Sequence, residues 1–166
     1  MSIPRGQGLE VFLADEDATL KLAGRMARCL PASRQAFVIY LHGDLGTGKT
    51  TVTRGMLRAL GEPGAVRSPT YGLIAEYGTP EGTVLHLDLY RLRSPAELQQ
   101  LGLADYLPGS RLWLIEWPEM AAGVGLPEAD AVVSISVEAQ GRRVRCEAAS
   151  APGHAWMQAF SADTGS

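Results

Sequence analysis

The sequence is poor in lysine, in cysteine and in long apolar runs. It holds two lysines, Lys21 and Lys49, beside thirteen arginines; two cysteines, Cys29 and Cys146; and no apolar run longer than the six residues 36–41. Six residues fall far short of the ~20 that span a bilayer, which excludes a transmembrane helix and leaves no membrane partner expected. The opening residues Met1 to Gly8 carry no apolar stretch of the secretory kind, so a cytoplasmic location is expected. The two cysteines match no metal-ligand spacing and are expected to remain reduced thiols. A basic excess is also missing: the net charge is −3. A domain that grips duplex nucleic acid by itself shows such an excess, so any nucleic-acid contact is expected to be local or made by a partner.

What is present is a globular balance, with 46% apolar and 20% charged residues in a chain of 166. That length suits one domain with one real core. Helical and strand patterns alternate without a linker-like break, which predicts an α/β fold. Residues 9–13 read as a strand, and the acidic stretch 14–17 opens a helix ended by Pro31. Residues 36–41 are short, continuous and β-rich, the pattern of a strand buried on both faces in a parallel sheet. Further strands are predicted over 71–77, 83–90 and 112–115, a helix over 49–60 stopped by Gly61, and another beginning at Ser94-Pro95. Residues 131–138 and 142–147 read as a hairpin around Gln140-Gly141. Residues 1–150 are taken as the single domain, and 151–166 as a C-terminal tail in which 153–160 read as a short helix.

Gly43-Asp44-Leu45-Gly46-Thr47-Gly48-Lys49-Thr50 fits G-x-x-x-x-G-K-[ST], between a buried strand and a helix. Glycines let the backbone turn successive N–H groups toward phosphate oxygens, and the helix N-terminus adds partial positive charge. Lys49 can reach the outer phosphates and the Thr50 hydroxyl can ligate Mg²⁺. One of only two lysines falls on the required position. The bland alternative is an ordinary glycine-rich turn, and the strand–loop–helix context weighs against it.

A phosphate loop of this kind works with an acid that holds Mg²⁺ at the end of a neighbouring strand. Asp88 shares one face of its strand with His86 and Tyr90, while Leu85, Leu87 and Leu89 share the other. Glu116 ends an apolar strand abruptly, at the edge where open α/β sheets bind ligands. Each could equally be a strand-end carboxylate without a special role. His86 reads either as a packed histidine or as a group that orients a metal ligand. Ser68-Pro69-Thr70 reads as a plain turn, although a hydroxyl in such a loop can sense a γ-phosphate. His42 reads as packed or hydrogen-bonded, Trp113 as core, His154 as solvated. Arg54 and Arg58, like Arg142, Arg143 and Arg145, read by default as a solvated face.

Taken together these motifs resemble the TsaE (YjeE) family of small bacterial P-loop ATPases. The resemblance runs from about residue 9 to about residue 147. It is carried by Gly43 to Thr51, Ser68-Pro69-Thr70-Tyr71, His86-Leu87-Asp88-Leu89-Tyr90-Arg91 and Glu116-Trp117-Pro118-Glu119. It implies a three-layer P-loop NTPase fold with a mixed central sheet. It implies slow, Mg²⁺-dependent ATP hydrolysis, association with the TsaB–TsaD heterodimer, and service to threonylcarbamoylation of the adenosine beside the anticodon in tRNAs reading ANN codons. Contact with tRNA would run through that complex, and the chain alone would be a monomer or weak oligomer. By matching position, Asp44, Leu45, Gly46, Thr47, Gly48 and Lys49 would grip the phosphates, with Thr50 on Mg²⁺ and Thr51 beside it. Thr70 would be the switch threonine, Asp88 the Walker-B-like acid, and Glu116 a metal-side or water-polarising group with Trp117 packed close. Gly141 and Arg142 would lie near the nucleotide, and Glu16 and Thr19 near the base. Tyr71 stands where many relatives carry Phe. Two other readings stay open: a small-molecule kinase, and a nucleotide-gated binding subunit with negligible turnover.

Overall fold

The computed structural model describes residues 8–66, 69 and 73–163. In chain order these form β1 (Gly8–Leu13), α1 (Glu16–Arg28), β2 (Phe37–His42), α2 (Lys49–Ala59), β3 (Ile74–Thr79), β4 (Gly82–Asp88), α3 (Pro95–Gln100), β5 (Ser110–Glu116), β6 (Ala131–Glu138), β7 (Gly141–Ala148) and α4 (Ala151–Ala162). Short 3₁₀ turns occupy Leu103–Tyr106 and Pro118–Ala121. The strands make one sheet in the order β1-β7-β6-β2-β5-β4-β3. The pairs β2·β5, β2·β6 and β4·β5 are parallel, whereas β1·β7, β6·β7 and β3·β4 are antiparallel. This is the α/β fold that the alternation predicts, with the three layers and mixed central sheet that the family resemblance implies.

The apolar run 36–41 becomes β2, central in the sheet, with Phe37, Val38, Ile39 and Leu41 all buried. Such a strand needs cover on both faces. One face packs against α1, α2 and α4 through Ile39, Leu41, Val84, Leu112 and Leu114. The other packs under α3 and the 3₁₀ turns through Val38, Leu85, Leu87, Trp113 and Ile115. Trp113 is therefore core, as expected.

Some boundaries differ from the expectation, each for a local reason. α1 ends at Arg28 rather than at Pro31, because the residue before a proline avoids the helical region and the helix stops earlier. β4 ends at Asp88, leaving Leu89 and Tyr90 beyond the strand, where Asp88 Oδ1 accepts from the Tyr90 N–H at 3.1 Å. β3 and β4 form a hairpin across Pro80 and Glu81, a pairing not read from the sequence. The β6–β7 turn is Ala139-Gln140, and Gly141 already pairs with Glu138 inside the hairpin.

The C-terminal residues do more than trail. Ser150 caps α4, accepting from the Gly153 N–H at 3.0 Å and donating to Asp130 Oδ1 at 2.6 Å. Trp156 and Phe160 are wholly buried in the core of the α1–α2 face, and Trp156 Nε1 donates to Met26 O at 3.0 Å. His154, expected to be solvated, is half-buried with its Nε2 shielded from solvent.

Candidate functional site

The loop from β2 to α2 takes its shape from glycine. Gly46 and Gly48 have φ of 75° and 110°, a region that side chains resist, and Gly48 stands as the N-cap of α2. The loop closes on itself through Thr47 Oγ1, which donates to Asp44 O at 2.9 Å. Lys49 opens α2 and curls back, its Nζ donating to Gly43 O and to Asp44 O, the latter at 2.9 Å. The ammonium lies 4.5 Å from the centre of the Trp117 ring, a cation–π contact. Burial pulls this amine below the ordinary lysine range, and the carboxylates of Glu116, Asp88, Glu119 and Asp44 oppose that shift.

The carboxylates come from strands that flank the loop. In the sheet register Leu41 of β2 pairs with Glu116 of β5, and Glu116 pairs with Asp88 of β4. Loop and acids therefore meet at the C-terminal edge of parallel strands, where α/β sheets bind ligands. Glu116 is 2% exposed; its Oε1 accepts from Thr50 Oγ1 at 3.3 Å and lies 3.1 Å from His86 Nε2. Burial pushes the Asp88 carboxyl above its ordinary value, opposed by the Tyr90 N–H and aided by the charge of Glu116. Trp117 follows Glu116 at φ 57°, a left-handed backbone that turns its ring over Lys49 and against Tyr90, with ring centroids 5.0 Å apart.

Two adjoining cavities share Gly46, Gly48 and Thr51. One, of about 310 Å³, is lined by Leu45, Lys49, Thr50, Asp88, Tyr90, Glu116 and Trp117 as well. The other, of about 370 Å³, is lined by Leu13, Asp15, Glu16, Thr19, Thr47, Gln140, Gly141 and Arg142 among others. Arg142 reaches from the β6–β7 hairpin to the loop, Nε donating to Thr47 O at 2.9 Å and Nη2 to Gly46 O at 3.4 Å. The first cavity offers a cation, hydroxyls and two carboxylates, and the second a polar hollow on the other side of the same loop. An elongated anion with a polyphosphate at one end and a neutral ring system at the other can span both.

Every sequence-predicted site residue that is described thus gathers around one loop. Asp44 lines neither cavity and acts through its backbone oxygen, which holds Thr47 and Lys49. Thr70, with Ser68 and Tyr71, lies outside the described residues. Three features escaped the sequence reading. Tyr90 lines the Lys49 cavity although its strand alternation showed only a side. Asp15, read only as helix-opening, lines the other cavity and caps α1 by accepting from the Ala18 N–H at 2.8 Å. Arg54, read as solvated, pairs with Glu16 across α1 and α2. His42 sits beside a carboxylate, its Nδ1 3.2 Å from Glu119 Oε2. Of the late arginines, Arg143 pairs with Glu10 and Glu138 and Arg145 with Glu147, so they do not form a free basic group.

Comparison with known proteins bears on the family and the fold. A family model described as threonylcarbamoyl adenosine biosynthesis protein TsaE matches residues 13–145. The chain is 40% identical over 157 residues to tRNA threonylcarbamoyladenosine biosynthesis protein TsaE of Haemophilus influenzae, spanning 93% of this chain and 99% of that protein. It is 39% identical over 112 residues to the protein of the same name from Aquifex aeolicus, spanning 66% and 77% of the two. The crystal structure of Bacillus subtilis YdiB superposes with a TM-score of 0.77 at 26% identity, covering 93% of this chain and 95% of that one. The family model and the full-length relative both span the loop, the two acids and the hairpin arginine, and the chain belongs to the TsaE family.

Proposed function

We propose that this chain binds ATP with Mg²⁺, hydrolyses it slowly by itself, and serves the formation of threonylcarbamoyladenosine in tRNA together with TsaB–TsaD in the cytoplasm. The names of its relatives supply the pathway. The observation that carries the ATPase reading is the convergence of Lys49, Thr50 and Glu116 at the glycine loop, beside Asp88.

In this reading the Lys49 ammonium exchanges the carbonyls of Gly43 and Asp44 for phosphate oxygens, and the loop N–H groups hold the rest of the phosphate chain. The hollow between Asp15, Glu16, Thr19 and Arg142 receives the nucleoside. Among the described residues no group of three or more His, Cys, Asp or Glu could form a protein cage for a metal. A hydroxyl with one or two carboxylates is nevertheless the usual protein share of an Mg²⁺ site, phosphates and waters providing the remainder. Thr50, Asp88 and Glu116 fit that share. Bound there, Mg²⁺ supplies charge neutralisation on the phosphates. Glu116, buried and hydrogen-bonded, orients a water toward the terminal phosphate. Thr70 is proposed as the switch residue on resemblance alone. The net charge of −3 favours tRNA contact through the partners rather than directly.

The test is Mg²⁺-dependent ATP hydrolysis by the purified chain, alone and with TsaB–TsaD. Slow turnover that rises with the heterodimer supports the whole reading. ATP binding without any response to the heterodimer removes the partner assignment. A phosphorylated acceptor in place of free phosphate would install the kinase reading.

A further inference from the structure

His86 has no place in the function proposed above, yet it touches the most buried acid of the site. It is 0% exposed, on the same face of β4 as Asp88, and its Nε2 lies 3.1 Å from Glu116 Oε1. That same oxygen accepts from Thr50 Oγ1 at 3.3 Å, so imidazole and hydroxyl meet at one atom. The other ring nitrogen, Nδ1, is buried with no hydrogen-bond partner among the described residues.

These facts select a tautomer. A proton on Nδ1 alone would strand a buried donor and set a bare Nε2 lone pair against a carboxylate oxygen. With the proton on Nε2 the ring donates to Glu116, and only an acceptor lone pair goes unmet. A leucine in this strand, like neighbouring Leu85 and Leu87, would leave no unmet polar atom at all. The one hydrogen bond the imidazole makes among the described residues is therefore the one to Glu116. We propose that His86 is a positioning residue: it donates Nε2–H to Glu116 and holds that carboxylate against Thr50 and toward the Lys49 cavity. Groups that orient a functional carboxylate or metal ligand in this way commonly alter affinity or activity by about 10–100-fold when removed. The kinetic part of the inference rests on the ATPase reading; the tautomer does not.

Two measurements on the full chain test it. The first is nuclear magnetic resonance of ¹⁵N-labelled histidine side chains at neutral pH, without nucleotide. His86, assigned by its absence in His86→Leu or His86→Gln, is expected as the Nε2–H tautomer, with its N–H signal moved or lost in Glu116→Ala. An Nδ1–H tautomer, or a signal indifferent to Glu116→Ala, overturns the proposal. The second is steady-state hydrolysis with thermal melting. His86→Leu is expected to lower kcat about tenfold or more, with KM for ATP within about threefold and an unchanged or higher Tm. His86→Gln, which keeps a donor, should recover most of the loss. Wild-type kcat in His86→Leu, or no recovery in His86→Gln beside a falling Tm, marks a packing role and overturns the proposal. If the wild-type chain hydrolyses nothing, the ATPase reading fails, and the tautomer measurement alone decides the role of His86.

Discussion

Lys49 and Asp88 sit under the same pressure at one site. Burial disfavours the charge on both, and each lends the other some of the missing compensation. Lys49→Ala removes the cation that would meet the phosphates; losing one such preorganised contact lowers kcat by about 10²–10³-fold. Hydrolysis by purified Lys49→Ala is expected to fall in that range, and near wild-type turnover would speak against the site. Asp88→Asn separates stability from function. The Asp88 carboxyl is held above its ordinary value in the folded chain, so its stabilising contribution is complete below the unfolded-state pKa and is lost as pH rises through the folded one. Removing the charge should therefore raise Tm slightly at neutral pH, with no gain at about pH 3, below the usual carboxylate range. Mg²⁺-dependent hydrolysis should be lost in the same variant. Melting curves at both pH values and one activity assay check these outcomes together.

At the scale of elements, α1 and α2 each contribute residues to the cavities and cross very closely. A Cβ built on Gly55 of α2 would come within 2.6 Å of Ala23 Cβ and 3.0 Å of Leu20 O, both on α1. Neither neighbour is a flexible side-chain end, so α1 itself would have to shift. Overpacking of this kind costs about 1–3 kcal/mol, against about 1 kcal/mol gained in helix propensity for Gly to Ala. Gly55→Ala is expected to be net destabilising in urea unfolding. In a double-mutant cycle, Ala23→Gly should recover part of the loss, because it deletes the opposing methyl. The same shift would move Glu16 and Thr19 relative to the phosphate loop, so nucleotide affinity should weaken with it. Nothing in the sequence marks Gly55 as a contact point, since an isolated helical glycine has the same letter wherever it faces.

At the scale of the molecule, α4 closes the core that α1 and α2 leave open beside β7 and β1. Phe37, Trp156 and Phe160 form a ring cluster, with centroid separations of 5.8 Å and 5.4 Å, next to the Arg25 guanidinium. Truncating a buried Trp to Ala costs about 3–5 kcal/mol, a large share of the ~5–15 kcal/mol that holds a domain folded. Trp156→Ala should lower the urea midpoint accordingly, and a chain ending at residue 150 should not give a cooperative unfolding transition. A 1–150 fragment as stable as the full chain would show that α4 merely rests on the sheet. The short helix was legible, but its burial was not, because Trp156, Met157 and Phe160 make too brief an apolar face to announce a core partner.

The phosphate loop, the buried strand before it and the helix after it are legible in the order of residues alone. Each depends on local properties: glycine backbone freedom, an unbroken β-rich run and helix periodicity. That order also marked Asp88 and Glu116 as strand-end acids, because alternation and an abrupt polar stop are local signals too. The folded chain alone shows that β5 lies between β2 and β4, which sets Glu116 in register with both Leu41 and Asp88. Only it placed Thr50 and His86 on one carboxylate oxygen, and Arg142 on the loop carbonyls. Strand order and helix crossing are settled by how separate apolar faces bury one another, and that choice is made between segments far apart in the chain.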